Sequence, residues 1–157
     1  MSLLNRRILM MNNMEDEDMS EWRLLKTVSV TEKTNKIVID KDEDGNSFSV
    51  KDLFIYSPLD VIASSNSQML IKFNNNYAYM TTANGFVGTD AKSVFVKSEW
   101  VGTRTCLSGS SSYSVDAVAL APSGFRVVNG DEYIEKLTFE LQSNITFNAG
   151  TFYIFGK

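Results

Sequence analysis

From Trp22 to its end the chain is a succession of short runs in which apolar and polar residues alternate. Leu137, Phe139 and Leu141 fall on one side, with Lys136, Thr138 and Glu140 on the other; this is the period of a strand with one buried face. Ile145 and Phe147 resume the pattern after a polar break at Gln142 to Asn144, and Ala149-Gly150 reads as a turn. The closing run Phe152-Tyr153-Ile154-Phe155 is apolar at every position. A strand of that kind needs cover on both faces, from the domain's other sheet or from another subunit.

Earlier runs follow the same rule. Trp22, Leu24, Val28 and Val30 are expected on one face, followed by Ile37 and Ile39, then Phe48 and Val50 beyond the loop Asp40 to Ser47. Leu53 to Tyr56 is apolar on both faces and is expected to close at Ser57-Pro58; Leu59 to Ala63 fits no single element. Met69, Ile71 and Phe73 lead through Asn74-Asn75-Asn76 into Tyr77, Tyr79 and Thr81, the signature of a hairpin. Asn84-Gly85 is the strongest hairpin-turn dipeptide. Val94, Val96 and Trp100 share a face, with Phe95 and Val101 opposite. Ser108 to Ser112 reads as a surface loop before Tyr113, Val115, Ala117 and Ala119, and Asn129-Gly130-Asp131 as a turn after Phe125 and Val127.

Turn signals recur roughly every 8 to 12 residues with no helix-length pattern between them, which predicts an all-β antiparallel β-sandwich, jelly-roll-like. Residues 1–20 stand apart. Leu4, Ile8 and Met11 recur at helical spacing before a polar, acidic run from Asn12 to Asp18, which predicts a short N-terminal helix and linker. A helix this short is marginal alone in water. The expected division is therefore 1–20, helical linker, and 21–157, sandwich domain.

Composition narrows the chemistry. There is no histidine, which removes Ser-His-Asp and Cys-His catalysis and histidine-ligated metals. The single cysteine, Cys106, forms no internal disulfide and is expected to be a small buried or half-buried side chain. A formal charge of −4 does not invite a nucleic-acid partner, and no apolar run reaches the roughly 20 residues of a bilayer span. No cofactor motif stands out. The expectation is a non-enzymatic protein without cofactor, nucleic-acid partner or membrane insertion.

Three constellations bear on binding. Asp40, Asp42, Asp44 and Asn46, with Gly45, open like a calcium loop, but the twelfth position is Lys51 where a bidentate glutamate belongs. A solvated turn is the preferred reading, so the loop is at most a weak metal candidate. Carboxylates at Glu99, Asp116, Asp131 and Glu132 are available for glycoside hydrolysis, which needs two about one bond; spacing does not pair them. Trp100 with Arg104, Tyr113, Tyr77 and Tyr79 lie beside polar loops. Rings flanked by Asn, Asp and Arg suit stacking on sugars, so these five are the candidate ligand-binding residues, although for any single one core or rim packing is the favoured reading.

Three stretches carry a family resemblance: LLNRRILMMNN near the N-terminus, EWRLLKTVSVTEKTNKIVIDKDEDGNSFSVKDLFIY, and the closing NAGTFYIFGK. Together they resemble the C-terminal domains of tail or fibre-type proteins encoded by phages and prophages of Gram-positive gut bacteria. There a short arginine-containing helix leads into a β-sandwich that ends in Gly-Lys or Gly-Arg, as Gly156-Lys157 does. Asp44-Gly45-Asn46 followed by Phe48 matches the family's turn and strand. The likeness covers the beginning and end of the chain better than residues 64–124, and it brings no catalytic motif. It implies a virion component, located in the phage particle or in host cytoplasm before assembly, homotrimeric, and either binding a host-surface glycan or serving as a structural tip. The alternative is a bacterial carbohydrate-binding or adhesion module.

Overall fold

A computed structural model describes residues 21–80, 85–101, 104–112, 121–128 and 131–157. Among the described residues are eleven strands: β1 Arg23–Ser29, β2 Lys36–Ile39, β3 Leu53–Ala63, β4 Met69–Phe73, β5 Asn76–Met80, β6 Lys92–Val101, β7 Arg104–Ser112, β8 Ala121–Val128, β9 Leu137–Leu141, β10 Phe147–Ala149 and β11 Thr151–Gly156. They form two antiparallel sheets. The larger runs β1-β11-β3-β6-β7-β8, with β10 also on β3; the smaller runs β2-β9-β4-β5. The expected all-β, sandwich-like architecture is borne out at this level. The expected N-terminal helix lies outside the described residues.

The core is the sum of the inward-facing alternations. Ile37 and Ile39, Met69, Ile71 and Phe73, and Leu137, Phe139 and Leu141 come from the smaller sheet. Leu53, Ile55, Val94, Val96, Phe152 and Ile154 meet them from the larger one. Phe152 stands between Phe139 and Phe147, at centroid distances of 5.1 and 5.8 Å. Strand β11 lies inside the larger sheet, next to its edge strand, hydrogen-bonded on both sides by β1 and β3.

Several local expectations are corrected. Trp22, Leu24, Val28 and Val30 do not share a face. The β1–β11 register shifts between Leu24 and Lys26, and such an irregularity exchanges the faces of the residues beyond it. Leu25 enters the core at 1% exposure while Leu24 stays 43% exposed; Val28 and Val30 pack on the core, and Trp22 belongs to a separate cluster. Ser57-Pro58 does not end its strand: β3 runs on to Ala63. Proline, which lacks a donor, is tolerated there because the ladder with β6 is irregular between Ser57 and Val61.

The serine-rich stretch is a strand and not a loop. Ser108 to Ser112 pair with Lys97 to Ser93 of β6, and Ser110 and Ser111 are buried. Small residues are needed there, because a Cβ on Gly109 would come within 3.0 Å of the Phe95 carbonyl oxygen and 3.2 Å of Val96. The Asn84-Gly85 signal does not join paired strands either. β5 and β6 belong to different sheets, and Asn84 lies outside the described residues. Val115, Ala117, Ala119, Asn129 and Gly130 also fall outside them.

Candidate functional site

The β4–β5 turn is held by one side chain. Asn74 adopts φ +52°, a left-handed conformation that asparagine tolerates better than most residues. Its amide nitrogen donates to Asp131 Oδ2 at 3.0 Å and to the Tyr133 carbonyl at 2.9 Å. Its amide oxygen accepts the backbone N–H groups of Glu135 at 2.9 Å and Lys136 at 3.2 Å. The Asn74 backbone N–H donates to the Lys136 carbonyl at 2.9 Å. The whole asparagine is thus spent on joining the turn to the segment that precedes β9.

The facing wall is the loop after β2. Asp42 Oδ1 accepts N–H groups from Asp44 and Asn46 at 3.1 and 2.8 Å, the Asp42 N–H donates to the Asn46 carbonyl at 2.8 Å, and Gly45 supplies a φ of +81°. Lys26 Nζ reaches the Asp42 carbonyl and Lys41 Nζ reaches the Ser47 hydroxyl. A side chain that accepts local backbone amides closes the turn without help from an ion. Among the described residues no three His, Cys, Asp or Glu side chains are grouped as metal ligands. Lys51, at the loop's twelfth position, pairs with Glu132.

Between these walls lies a groove of about 650 Å³ lined by Asp40, Lys41, Ser47, Ser49, Asn75, Asp131, Glu135 and Lys136 around Asn74, with the buried Phe48 beneath. A second groove, of about 530 Å³, shares Asn74, Asn75 and Lys136 and continues onto the outer face of the smaller sheet, along Lys36, Leu70, Lys72 and Thr138. Register explains its floor. Val38, Thr138, Lys72 and Tyr77 lie in one cross-strand row, and Lys36, Glu140, Leu70 and Tyr79 in the next. Thr138 faces outward yet is only 3% exposed. Lys72 Nζ bonds Glu140 at 3.0 Å.

Carboxylates accept, ammonium groups donate, and amides and hydroxyls do both. Such a lining matches a ligand rich in hydroxyls or of mixed charge. It is more polar than the mostly apolar pockets that hold drug-like molecules.

Of the five sequence-predicted binding residues, four lie on described strands. Tyr77 and Tyr79 have their backbone on β5, in register with Lys72 and Leu70 of the second groove. Trp100 and Arg104 belong to the β6–β7 hairpin, where Val101 pairs with Arg104. Trp100 is half-buried and its backbone N–H donates to Asp52 Oδ1 at 2.8 Å. Two residues before Asp52, Val50 pairs with Ile134, which sets that hairpin at the same end of the sandwich as the first groove. Tyr113 lies outside the described residues.

The candidate carboxylates among the described residues each have a partner of their own. Glu99 pairs with Lys97 at 2.7 Å, Glu132 with Lys51, and Asp131 with Asn74; Asp116 lies outside the described residues. Cys106 is half-buried, as expected.

Asn74 and the lysines Lys36 and Lys136 went unnoticed in the linear sequence. The one signal for them was the run Asn74-Asn75-Asn76, which reads as a turn and not as a clamp. A scan against protein-family models finds no match to the chain, and searches of curated proteins and of solved structures return none.

Proposed function

We propose that this chain is a non-enzymatic domain of a phage tail or fibre-type protein, a jelly-roll-like sandwich behind a short N-terminal helix, that binds a host-surface glycan as a homotrimer. The observation that carries the binding part is the paired groove at the β4–β5 turn. Its lining of carboxylates, ammonium groups and amides is complementary to sugar hydroxyls, and its walls are tied in place by Asn74 and Asp42. Preorganised polar groups lose less on binding than mobile ones.

The virion part rests on the resemblance, whose residues are structural in this fold. Gly156 packs against Leu25 and Val50, and the Lys157 carbonyl accepts the N–H groups of Lys51 and Asp52 at 2.8 and 3.1 Å. Gly45 and Asn46 close the Asp42 turn.

The test is titration of the chain with surface polysaccharides of Gram-positive bacteria by calorimetry, together with its mass by light scattering. The expected result is a trimer that binds saturably, with affinity reduced at least tenfold by Lys36→Ala combined with Asn75→Ala, both exposed groove residues. Saturable binding by a monomer would replace the fibre reading with an adhesion module. A trimer that binds no polysaccharide would reduce the role to a structural tip.

A further inference from the structure

The second groove is centred on one enclosed hydroxyl. Thr138 stands between the core residues Leu137 and Phe139 and so points out of the smaller sheet, yet it is only 3% exposed. Its side chain bonds no described residue. Among the described residues the buried polar side-chain atom sealed off without a partner is Trp22 Nε1, not the Thr138 oxygen, which therefore keeps its access to the groove it lines. A hydroxyl both donates and accepts, and an enclosed one without a protein partner is costly to keep. A ligand atom would satisfy it.

Three lysines surround it. Lys72 of β4 lies directly across from Thr138. Lys36 of β2 is its diagonal neighbour, because Val38 stands opposite Thr138 and Lys36 opposite Glu140; such neighbours are about 7–8 Å apart, within reach of long side chains. Lys136 stands two residues before Thr138, about 7 Å along an extended chain, and lines the same groove. Glu140 neutralises Lys72 at 3.0 Å. Lys36 and Lys136 are exposed and have no ion pair among the described residues. Among those residues no carboxylate lines this groove, whereas Asp40, Asp131 and Glu135 line the first. In a chain of formal charge −4 the second groove is a local excess of positive charge, and a concave surface focuses such a field.

We propose that this groove binds an oxyanion of the ligand, phosphodiester or carboxylate, with Lys36 and Lys136 on either side and the Thr138 hydroxyl donating to it between them. The first groove, which shares Asn74, Asn75 and Lys136, then takes the neutral part of the ligand, whose hydroxyls donate to its carboxylates. Bonds from ammonium and hydroxyl donors to a charged acceptor are about twice as strong as neutral ones, so the anion decides which polymers bind. The ligand is an acidic polysaccharide. Its being a polysaccharide rests on the function proposed for the chain, whereas the anion site rests on the lysines and Thr138 alone.

The experiment titrates the full chain by calorimetry with dextran, polygalacturonate, poly(glycerol phosphate) and inorganic phosphate. At least one acidic polymer should bind about tenfold tighter than neutral dextran, the worth of one charge-assisted hydrogen bond, and added salt should weaken the acidic polymers selectively. Whichever of them binds tighter identifies the anion as carboxylate or phosphodiester. Lys36→Gln should remove most of the preference and Lys36→Gln with Lys136→Gln all of it. Lys97→Gln makes the same change in net charge as Lys36→Gln but on the larger sheet, and should leave the preference intact. Thr138→Val keeps the shape and removes the hydroxyl, so it should weaken the acidic polymers by about threefold or more at an unchanged Tm. Dextran bound as tightly as the acidic polymers would overturn the anion site and leave the polysaccharide reading in place. Equal losses from Lys97→Gln and Lys36→Gln, or full affinity in Thr138→Val, would also overturn it. Phosphate binding abolished by Lys36→Gln with Lys136→Gln, with no polymer bound, would keep the anion site and remove the polysaccharide reading; binding of none of the four overturns both.

Discussion

Gly156 is the penultimate residue, and a single methyl group there tests how the end of the chain is built. Gly156 lies on β11 opposite Leu53 of β3 and Arg23 of β1. A Cβ at this position would stand 2.7 Å from Leu25 Cδ1 and 2.9 and 3.1 Å from the two Val50 methyl groups. The first contact is about 0.7 Å short of the 3.4 Å at which ordinary contact begins. Leu25 and Val50 are 1% and 4% exposed, so neither has solvent to retreat into.

Interiors packed to crystal density answer an added methyl with off-rotamer side chains and backbone shifts, at about 1–3 kcal/mol. For a chain of this length that is a fall in Tm of about 3 to 10 °C. Urea unfolding followed by circular dichroism should show Gly156→Ala with a lower midpoint and an unchanged slope.

The decisive arm is the double variant. In a Leu25→Ala background the closest atom is gone, so Gly156→Ala should cost at least about 1 kcal/mol less than it does alone. Gly45→Ala is the contrast: nothing lies within 4 Å of its Cβ position but φ is +81°, so its cost of about 1–2 kcal/mol is backbone strain and is untouched by Leu25→Ala. A Gly156→Ala protein as stable as the parent, or an equal cost in both backgrounds, would refute the packing argument.

Two further outcomes follow from the groove and its border. Asn74→Ala removes four side-chain hydrogen bonds around a residue at φ +52° and should destabilise by about 1–3 kcal/mol. Asn74→Gly should recover only the backbone part, which thermal melts of the two variants will separate. The Glu132 carboxylate, through its hydrogen bond and charge, raises the Lys51 pKa above its ordinary 10.5, with Tyr133 adding to the effect and slight burial opposing it. A raised lysine pKa stabilises fully below pH 10.5 and is lost as pH climbs through the folded value. Glu132→Gln should therefore lower Tm slightly at pH 7, and the difference should vanish well above pH 10.5; a difference that grows there would reverse the sign of the argument.

Much of the fold could be read from the linear sequence because a strand's two-residue period follows from covalent geometry alone. Met69-Ile71-Phe73 and Leu137-Phe139-Leu141 are buried as their spacing requires, the Asn74 turn joins a true hairpin, and Gly150 sits at positive φ between β10 and β11. The doubly apolar closing strand also follows its pattern, with Phe152 and Ile154 in the core and Tyr153 and Phe155 in the outer cluster.

What composition and spacing did not decide was set by contacts between distant segments. A register shift on β1 chose Leu25 over Leu24 for the core, an irregular ladder let β3 continue through Pro58, and close neighbours on both sides made a strand of the serine run. The groove belongs to the same class. Residues 40–49, 74–75 and 131–136 meet because Asn74 bonds across nearly sixty residues of chain and Val50 pairs with Ile134. Alternation is a property of each strand alone, whereas a face, an edge and a groove exist only once other strands have taken their places.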